Sequence, residues 1–157
     1  MRYILKQRPF ALLDRFTVRD AMGRDVYLID GQIALSHTFR VSDIAGRELA
    51  VVRRDLAYPL CAKYDIYRGG ALLASVSKDC LTLFRSHYDI RICNGEEVVA
   101  QGDCFSLDYT LTWRGIAIAS ISQQGILVDS YAVDVTDGHD PVPILAIAVI
   151  IDHCRNA

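Results

Sequence analysis

The chain has 157 residues, which is enough for one domain of ordinary size. Hydrophobic residues make up 52% of it and charged residues 23%, which indicates a large enclosed core and excludes a disordered chain. The net charge of −2 gives no general electrostatic reason to bind nucleic acid. We therefore expect a single domain over residues 1–157 and no nucleic-acid partner.

The N-terminus and the cysteines indicate a cytoplasmic protein. Charged residues stand at positions 2, 6 and 8, where a signal peptide would need its apolar segment. The cysteines are widely spaced and form no C-x-x-C pair, which argues against a zinc site and favours reduced thiols used as small apolar side chains. The five cysteines are Cys61, Cys80, Cys93, Cys104 and Cys154.

A repeat of 21 to 25 residues runs along the chain, and each unit opens with an aromatic residue. In the first five units a glycine follows six or seven residues later, and in four of them an alanine follows the glycine by four or five residues. A unit of this length with a central glycine turn is one β-hairpin. The aromatic residues are Phe16, Phe39, Tyr64, Tyr88, Tyr109 and Tyr131; the glycines are Gly23, Gly46, Gly70, Gly95 and Gly115; the alanines are Ala50, Ala74, Ala100 and Ala119.

The strands within each unit alternate between apolar and polar residues, which is typical of antiparallel strands with one buried face. Asn94-Gly95 is a strong signal for a hairpin turn. An opening strand near Tyr3–Lys6 and a last strand at Tyr131–Val135 bring the total to about twelve. Since closure removes exposed strand edges, we predict a closed antiparallel barrel. Return strands are predicted near residues 25–30, 47–53, 72–78, 97–101 and 116–122.

The C-terminal region breaks this pattern, because residues 141–151 contain no polar side chain. Asp140 suits a helix N-cap and Pro141 the first helical position, whereas the valine and isoleucine content leaves a buried strand as the alternative. Eleven residues of helix span about 16 Å, roughly half of a bilayer's hydrocarbon core, so they do not form a transmembrane helix.

The barrel and the apolar segment each need the other. A helix that is apolar on every side must be surrounded by protein, and a twelve-stranded barrel is too wide for its own side chains to fill. We therefore predict a mainly β (α+β) domain in which residues 141–153 form a helix through the centre of the barrel.

The start of the chain (Met1–Gln7), the glycine-centred hairpins and Tyr131–Val135 before the apolar segment resemble the LURP-one-related family over the whole chain. This family holds the small bacterial and plant members of the tubby and phospholipid scramblase superfamily. The resemblance implies the tubby C-terminal-like fold, a barrel of about twelve strands around a central helix. Its members largely lack an assigned activity, while relatives suggest phosphoinositide binding (tubby) or lipid scrambling with a calcium response (scramblases).

Five basic residues form the candidate ligand site, because the tubby resemblance implies a phosphorylated headgroup on the outer wall. Arg53 and Arg54 end the second hairpin and Lys63 begins the third. With Arg40 and Arg47 on the adjacent strands, they are expected to line one groove of the outer wall. The planar guanidinium of arginine suits phosphate because it donates two hydrogen bonds at once. The alternative is a solvated outer face, which any antiparallel barrel shows.

We assign no catalytic residue, metal or cofactor. Asp129, Asp134, Asp137 and Asp140 stand where scramblases carry an acidic, calcium-responsive segment, but they lack the spacing of a known calcium loop and fit a turn and a helix cap better. No nucleophile elbow, H-E-x-x-H or P-loop motif is present, although a site assembled from distant segments stays open.

The histidines have structural interpretations. His37 and His87 stand at matching repeat positions, His139 lies before the helix, and His153 suits a helix C-terminus. We predict a non-enzymatic binding or scaffold domain that docks an anionic lipid headgroup, such as a phosphoinositide, on the outer wall, with membrane contact that is peripheral only. The alternative is a protein–protein interaction domain with no small-molecule ligand.

Overall fold

The computed structural model describes residues 1–8, 15–32, 37–58, 61–79, 86–103, 105–124 and 130–155. Within these ranges the chain forms twelve strands and one helix, and all strand pairs are antiparallel. The first strand pairs with the last, so the sheet closes and the predicted barrel is confirmed. The elements are β1 (Arg2–Gln7), β2 (Arg15–Arg19), β3 (Asp25–Gln32), β4 (Thr38–Asp43), β5 (Glu48–Arg54), β6 (Lys63–Arg68), β7 (Ala71–Lys78), β8 (Ser86–Ile92), β9 (Glu97–Asp103), β10 (Asp108–Trp113), β11 (Ile116–Gln123), β12 (Ser130–Val135) and α1 (Pro141–Arg155).

Helix α1 fills the barrel. From Val142 to Asp152 every side chain except that of Pro143 is buried, so the predicted central helix is confirmed and the alternative of a buried strand is wrong. The predicted N-cap is also confirmed, since the carboxylate of Asp140 accepts a hydrogen bond from the backbone N–H of Val142 at 3.0 Å. No helix in the described part of the chain is long and apolar enough to cross a membrane.

The two ends of the barrel differ. The five glycine turns lie at one end, here called the hairpin end, where α1 also begins. At this end Gly95 has φ +90°, a conformation that side chains disfavour. The even-numbered strands begin at the opposite end, the connector end, where α1 finishes.

The aromatic residues of the repeat form one layer near the connector end, and each is buried. Every even-numbered strand contributes one of them, so the sequence repeat corresponds to a ring of side chains around the last turn of α1. On that turn His153 lies 5.4 Å from Phe39 and 6.3 Å from Tyr64, between ring centroids. This aromatic layer consists of Phe16, Phe39, Tyr64, Tyr88, Tyr109 and Tyr131.

Four of the five glycine hairpins carry a β-bulge in the return strand. The extra residue is apolar in each case and packs against the core, so it adds one side chain near the hairpin end. The hairpin formed by β8 and β9 has a continuous register in which Ile90 pairs with Val98. The bulge residues are Val26, Leu49, Leu73 and Ile118.

The alanines of the repeat reflect this difference. Three of them pair with the residue two positions after the aromatic residue of their unit, as Ala50 does with Val41. Ala100 instead pairs with Tyr88 itself. The glycine and the alanine are five residues apart in the β8–β9 hairpin and four apart in the three other hairpins that have this alanine. The five-residue spacing thus marks the hairpin that has no bulge.

The prediction that all cysteines are reduced is wrong at Cys61, which is disulfide-bonded. Cys93 and Cys154 are free thiols, and Cys80 and Cys104 lie outside the described residues. Sequence spacing failed here because disulfide formation depends on how close the fold brings two cysteines and not on their separation along the chain.

A first prediction concerns Gly102, which faces the interior from β9. An added methyl group would overlap the carbonyl oxygen of Asp108 and lie 2.7 Å from Cγ of Tyr109. We expect Gly102→Ala to lower the free energy of unfolding by about 3 kcal/mol, because the clash involves backbone. Urea denaturation measures the change. Glu97→Ala, at an exposed position of the same strand, is the control, and an unchanged denaturation midpoint in Gly102→Ala would contradict the close packing of β9 on β10.

Candidate functional site

Two of the five predicted basic residues are engaged within their own hairpin. The guanidinium of Arg40 lies 3.3 Å from the carboxylate of Glu48 and donates a hydrogen bond to the carbonyl of Gly46 at 2.9 Å. That of Arg47 lies 3.3 Å from the carboxylate of Asp43. Both ion pairs lie within the β4–β5 hairpin and stabilise its turn. The carboxylates of Glu48 and Asp43 also neutralise the two guanidinium groups, which weakens their attraction for an anionic ligand.

Lys63 is engaged in a similar way. Its ammonium lies 3.6 Å from the carboxylate of Asp55 and 4.7 Å from the centre of the Tyr58 ring. The ion pair is long, and cation–π contacts of this kind are weak at accessible sites. The ion pair of Lys63 is thus longer than those of Arg40 and Arg47, which both measure 3.3 Å.

Arg53 and Arg54 lie on opposite faces of the barrel, because consecutive strand residues point in opposite directions. Arg53 is exposed on the outer wall, with its guanidinium 5.7 Å from the centre of the Tyr67 ring. Arg54 is half-buried on the inner face, where its charge acts on Tyr64. Neither has a carboxylate within salt-bridge distance among the residues that the structure describes. The five basic residues thus do not meet in one groove of the outer wall.

Sequence reasoning missed a polar cluster around Cys154, in the last turn of α1. The hydroxyl groups of Tyr64 and Tyr88 hydrogen-bond to its thiol, and the charges of Lys78 and Arg54 act on it from the inner face of the barrel. These five residues are called the Cys154 cluster below. Two of its members, Tyr64 and Tyr88, also belong to the aromatic layer, so the repeat itself was the available signal.

The thiol of the Cys154 cluster is protonated at neutral pH. Burial raises the pKa of Cys154, and although Lys78, Arg54 and the two hydrogen bonds act in the opposite direction, burial prevails. Burial likewise raises the pKa of Tyr64 and of Tyr88 well above the usual range. Since the thiolate is the nucleophilic form, this arrangement is that of a packed core cysteine and not of a reactive one.

The histidines have separate surroundings. His87, on the outer face of β8, lies 3.0 Å from the carboxylate of Asp89 and 3.0 Å from the amide of Gln101. The ring of His37 lies 4.7 Å from that of His153. The interpretation of His37 and His87 as matching positions is wrong. His37 precedes its aromatic residue by two positions and lies before β4, whereas His87 precedes its aromatic residue by one and lies within β8.

The acidic segment before α1 is held by ion pairs and by the helix cap. Asp134 lies 2.8 Å from the guanidinium of Arg2, and Asp140 lies 2.6 Å from that of Arg68 in addition to capping α1. Asp137 is exposed, 3.8 Å from the terminal ammonium, and Asp129 lies outside the described residues. Within the described ranges no group of three or more His, Cys, Asp or Glu side chains is placed to hold a metal ion.

Comparison with known protein families gives a match over nearly the whole chain. The sequence profile of LURP-one-related proteins matches residues 1–152, which include all twelve strands and most of α1. The chain belongs to the LURP-one-related family. The resemblance stated from the sequence is therefore confirmed, while a comparison with curated proteins gives no match.

A second prediction for this LURP-one-related chain concerns the two free thiols in its described part, Cys93 and Cys154. Cys93 is exposed, whereas Cys154 is packed in the aromatic layer with a raised pKa. We expect iodoacetamide at neutral pH to alkylate Cys93 at least about tenfold faster than Cys154, because Cys93 is accessible, whereas burial shields Cys154 and raises its pKa. Mass spectrometry of digested samples measures both rates. In urea the two rates should become similar; equal rates in the folded protein would contradict the enclosure of Cys154.

Proposed function

We propose that the chain is a non-enzymatic binding domain that docks an anionic headgroup, such as that of a phosphoinositide, near the end of β5. One observation carries the proposal: Arg53 and Arg54 have no carboxylate partner among the described residues, while Arg40, Arg47 and Lys63 each have one. An arginine without a partner can give both of its parallel hydrogen bonds to a phosphate.

The position of the two arginines supports a ligand at the strand end and not on the flat outer wall. They are the last two residues of β5, one on each face, so a phosphate seated on the end of the strand is within reach of both. Lys63, which begins the neighbouring strand β6, adds a third cation on the outer side. Of the five basic residues predicted to bind the ligand, the proposed site therefore keeps Arg53, Arg54 and Lys63.

Arg53 should contribute more than Arg54. The C-terminal end of a helix carries a partial negative charge, and Arg54 lies near this end of α1 with the Cys154 cluster. Part of its field is therefore already offset by the helix. Arg53 points to solvent, and its contact with the Tyr67 ring leaves its hydrogen-bond donors available.

The surroundings of the nucleophilic and titratable side chains support a binding role without catalysis. Cys154 is a protonated core thiol, and His87 is held between Asp89 and Gln101 on the outer wall. Covalent catalysis needs a nucleophile that is hydrogen-bonded to a base, and a third group that orients the base. Neither Cys154 nor His87 has these partners among the described residues.

The third prediction tests the headgroup site by co-sedimentation with vesicles. We expect binding to phosphatidylcholine vesicles that contain a polyphosphoinositide and weaker binding as salt increases, since exposed charges are screened. Arg53→Gln should weaken binding about tenfold, the usual effect of losing one charge-assisted contact, and Arg54→Gln by less.

Arg47→Gln is the matched control, because Arg47 is exposed but lies at the hairpin end and is paired with Asp43. It should bind as the wild type does. If the double variant Arg53→Gln/Arg54→Gln binds like the wild type, or if the wild type binds phosphatidylcholine alone equally well, the headgroup proposal fails.

A protein partner is the second candidate, supported by exposed apolar side chains at the hairpin end. Met22 and Ile44 lie in glycine turns, and Leu72 and Ile116 begin return strands; all are well exposed. A partner on this end would protect these residues without touching Arg53. Replacing Met22 and Ile44 by serine should then abolish complex formation in size-exclusion chromatography and leave vesicle binding unchanged.

A further inference from the structure

The barrel contains a cavity of about 410 Å³ between the first half of α1 and the wall near the hairpin end. Most of its lining residues are aliphatic, and the polar ones, Arg68, Glu96, His139 and Asp140, stand on one side, where the helix begins. Binding cavities for small molecules usually measure roughly 300 to 1,000 Å³ and have such an apolar lining. The lining includes Ile92, Val98, Leu111, Trp113, Ile144 and Ile147.

The cavity has an identifiable origin in the strand register. The other four hairpins each fill this level of the barrel with a bulge residue, whereas β9 continues without one. The cavity lies against this hairpin, which supplies Ile92, Glu96 and Val98 to its wall. A missing side chain in an otherwise repeated layer leaves space that the rigid closed sheet cannot collapse to fill.

The mouth of the cavity carries two ion pairs. Arg68 lies 2.6 Å from the carboxylate of Asp140, and Arg114 lies 3.1 Å from that of Glu96. In each pair the arginine and the carboxylate neutralise one another, so these four residues offer hydrogen-bonding groups to a ligand but no net charge. A ligand with an ionised head would have to break one of these pairs, whereas a neutral polar head would not.

We propose that this cavity binds an uncharged single-chain amphiphile, with its alkyl chain inside and a hydroxyl or amide head between Arg68 and His139. The aliphatic lining favours an alkyl chain, and the compensated mouth favours a neutral head. This site goes beyond the headgroup site proposed above and lies at the opposite end of the barrel, so either can fail without the other.

The chain supplies its own reporter. It has one tryptophan, Trp113, which lines the cavity with His139 at a ring distance of 6.3 Å. Straight-chain alcohols are the probes, and a terminally brominated alcohol quenches tryptophan fluorescence on contact. We expect saturable quenching, and a Kd that falls about fourfold for each added methylene until the chain fills the cavity, after which it stays constant.

Two matched variants locate the site. Ala74 lines the cavity, and Ala50 holds the same position in the β4–β5 hairpin but does not line it. Ala74→Leu should abolish quenching while keeping or raising the melting temperature, because the new side chain enters free space. Ala50→Leu should retain quenching but lower the melting temperature by several degrees, because it overpacks the core.

Three outcomes would overturn the proposal: no saturable quenching up to the solubility limit of the probes, unchanged quenching in folded Ala74→Leu, or a Kd that keeps falling with chain length without a plateau. If Ala74→Leu does not fold, Val98→Phe replaces it with the same expected loss of quenching, since Val98 lines the cavity from β9.

Discussion

The complete burial of α1 is the constraint on which the rest of the structure depends. Residues 144–151 of the helix are apolar on every side and buried, so no face of it can lie against water. Twelve strands, in turn, enclose more space than their own inward side chains fill. Helix and barrel therefore stabilise one another, and neither has a folded state of comparable stability alone. The N-cap at Asp140 and its ion pair with Arg68 fix where the helix enters.

The two ends of the barrel enclose α1 in different ways, and this difference separates the two proposed sites. At the connector end the aromatic layer closes around His153 and Cys154. Arg53 and Arg54, which have no carboxylate partner within the described ranges, stand at the strand end nearby. At the hairpin end the bulge residues fill the space between α1 and the barrel wall. The β8–β9 hairpin has no bulge residue, and the cavity of about 410 Å³ lies against it. A headgroup site therefore suits the first end, and an apolar-chain site suits the second.

Most of the fold could be predicted from the sequence, because alternation, glycine turns and an all-apolar segment are local signals. Alternation along β5 also implies that Arg53 and Arg54 lie on opposite faces, although we predicted both in one groove of the outer wall. The five-residue spacing from Gly95 to Ala100 already distinguished the β8–β9 hairpin from the others in the sequence. Only the strand register showed that this spacing corresponds to the lack of a β-bulge. The repeat marked Tyr64 and Tyr88 of the Cys154 cluster, but the contacts of this cluster with Lys78 and Arg54 could not be predicted, since they depend on which distant residues the fold brings together. The disulfide at Cys61 could not be predicted for the same reason.

Hydrogen exchange of the backbone amides, followed by mass spectrometry, tests the central position of α1 most directly. If the helix opens only when the barrel unfolds, its amides exchange by global unfolding. Peptides from residues 144–151 should then exchange as slowly as those from the most protected strands, and the rates of both should rise together in low urea. A helix that exchanges much faster than the strands, with a different dependence on urea, would contradict the account.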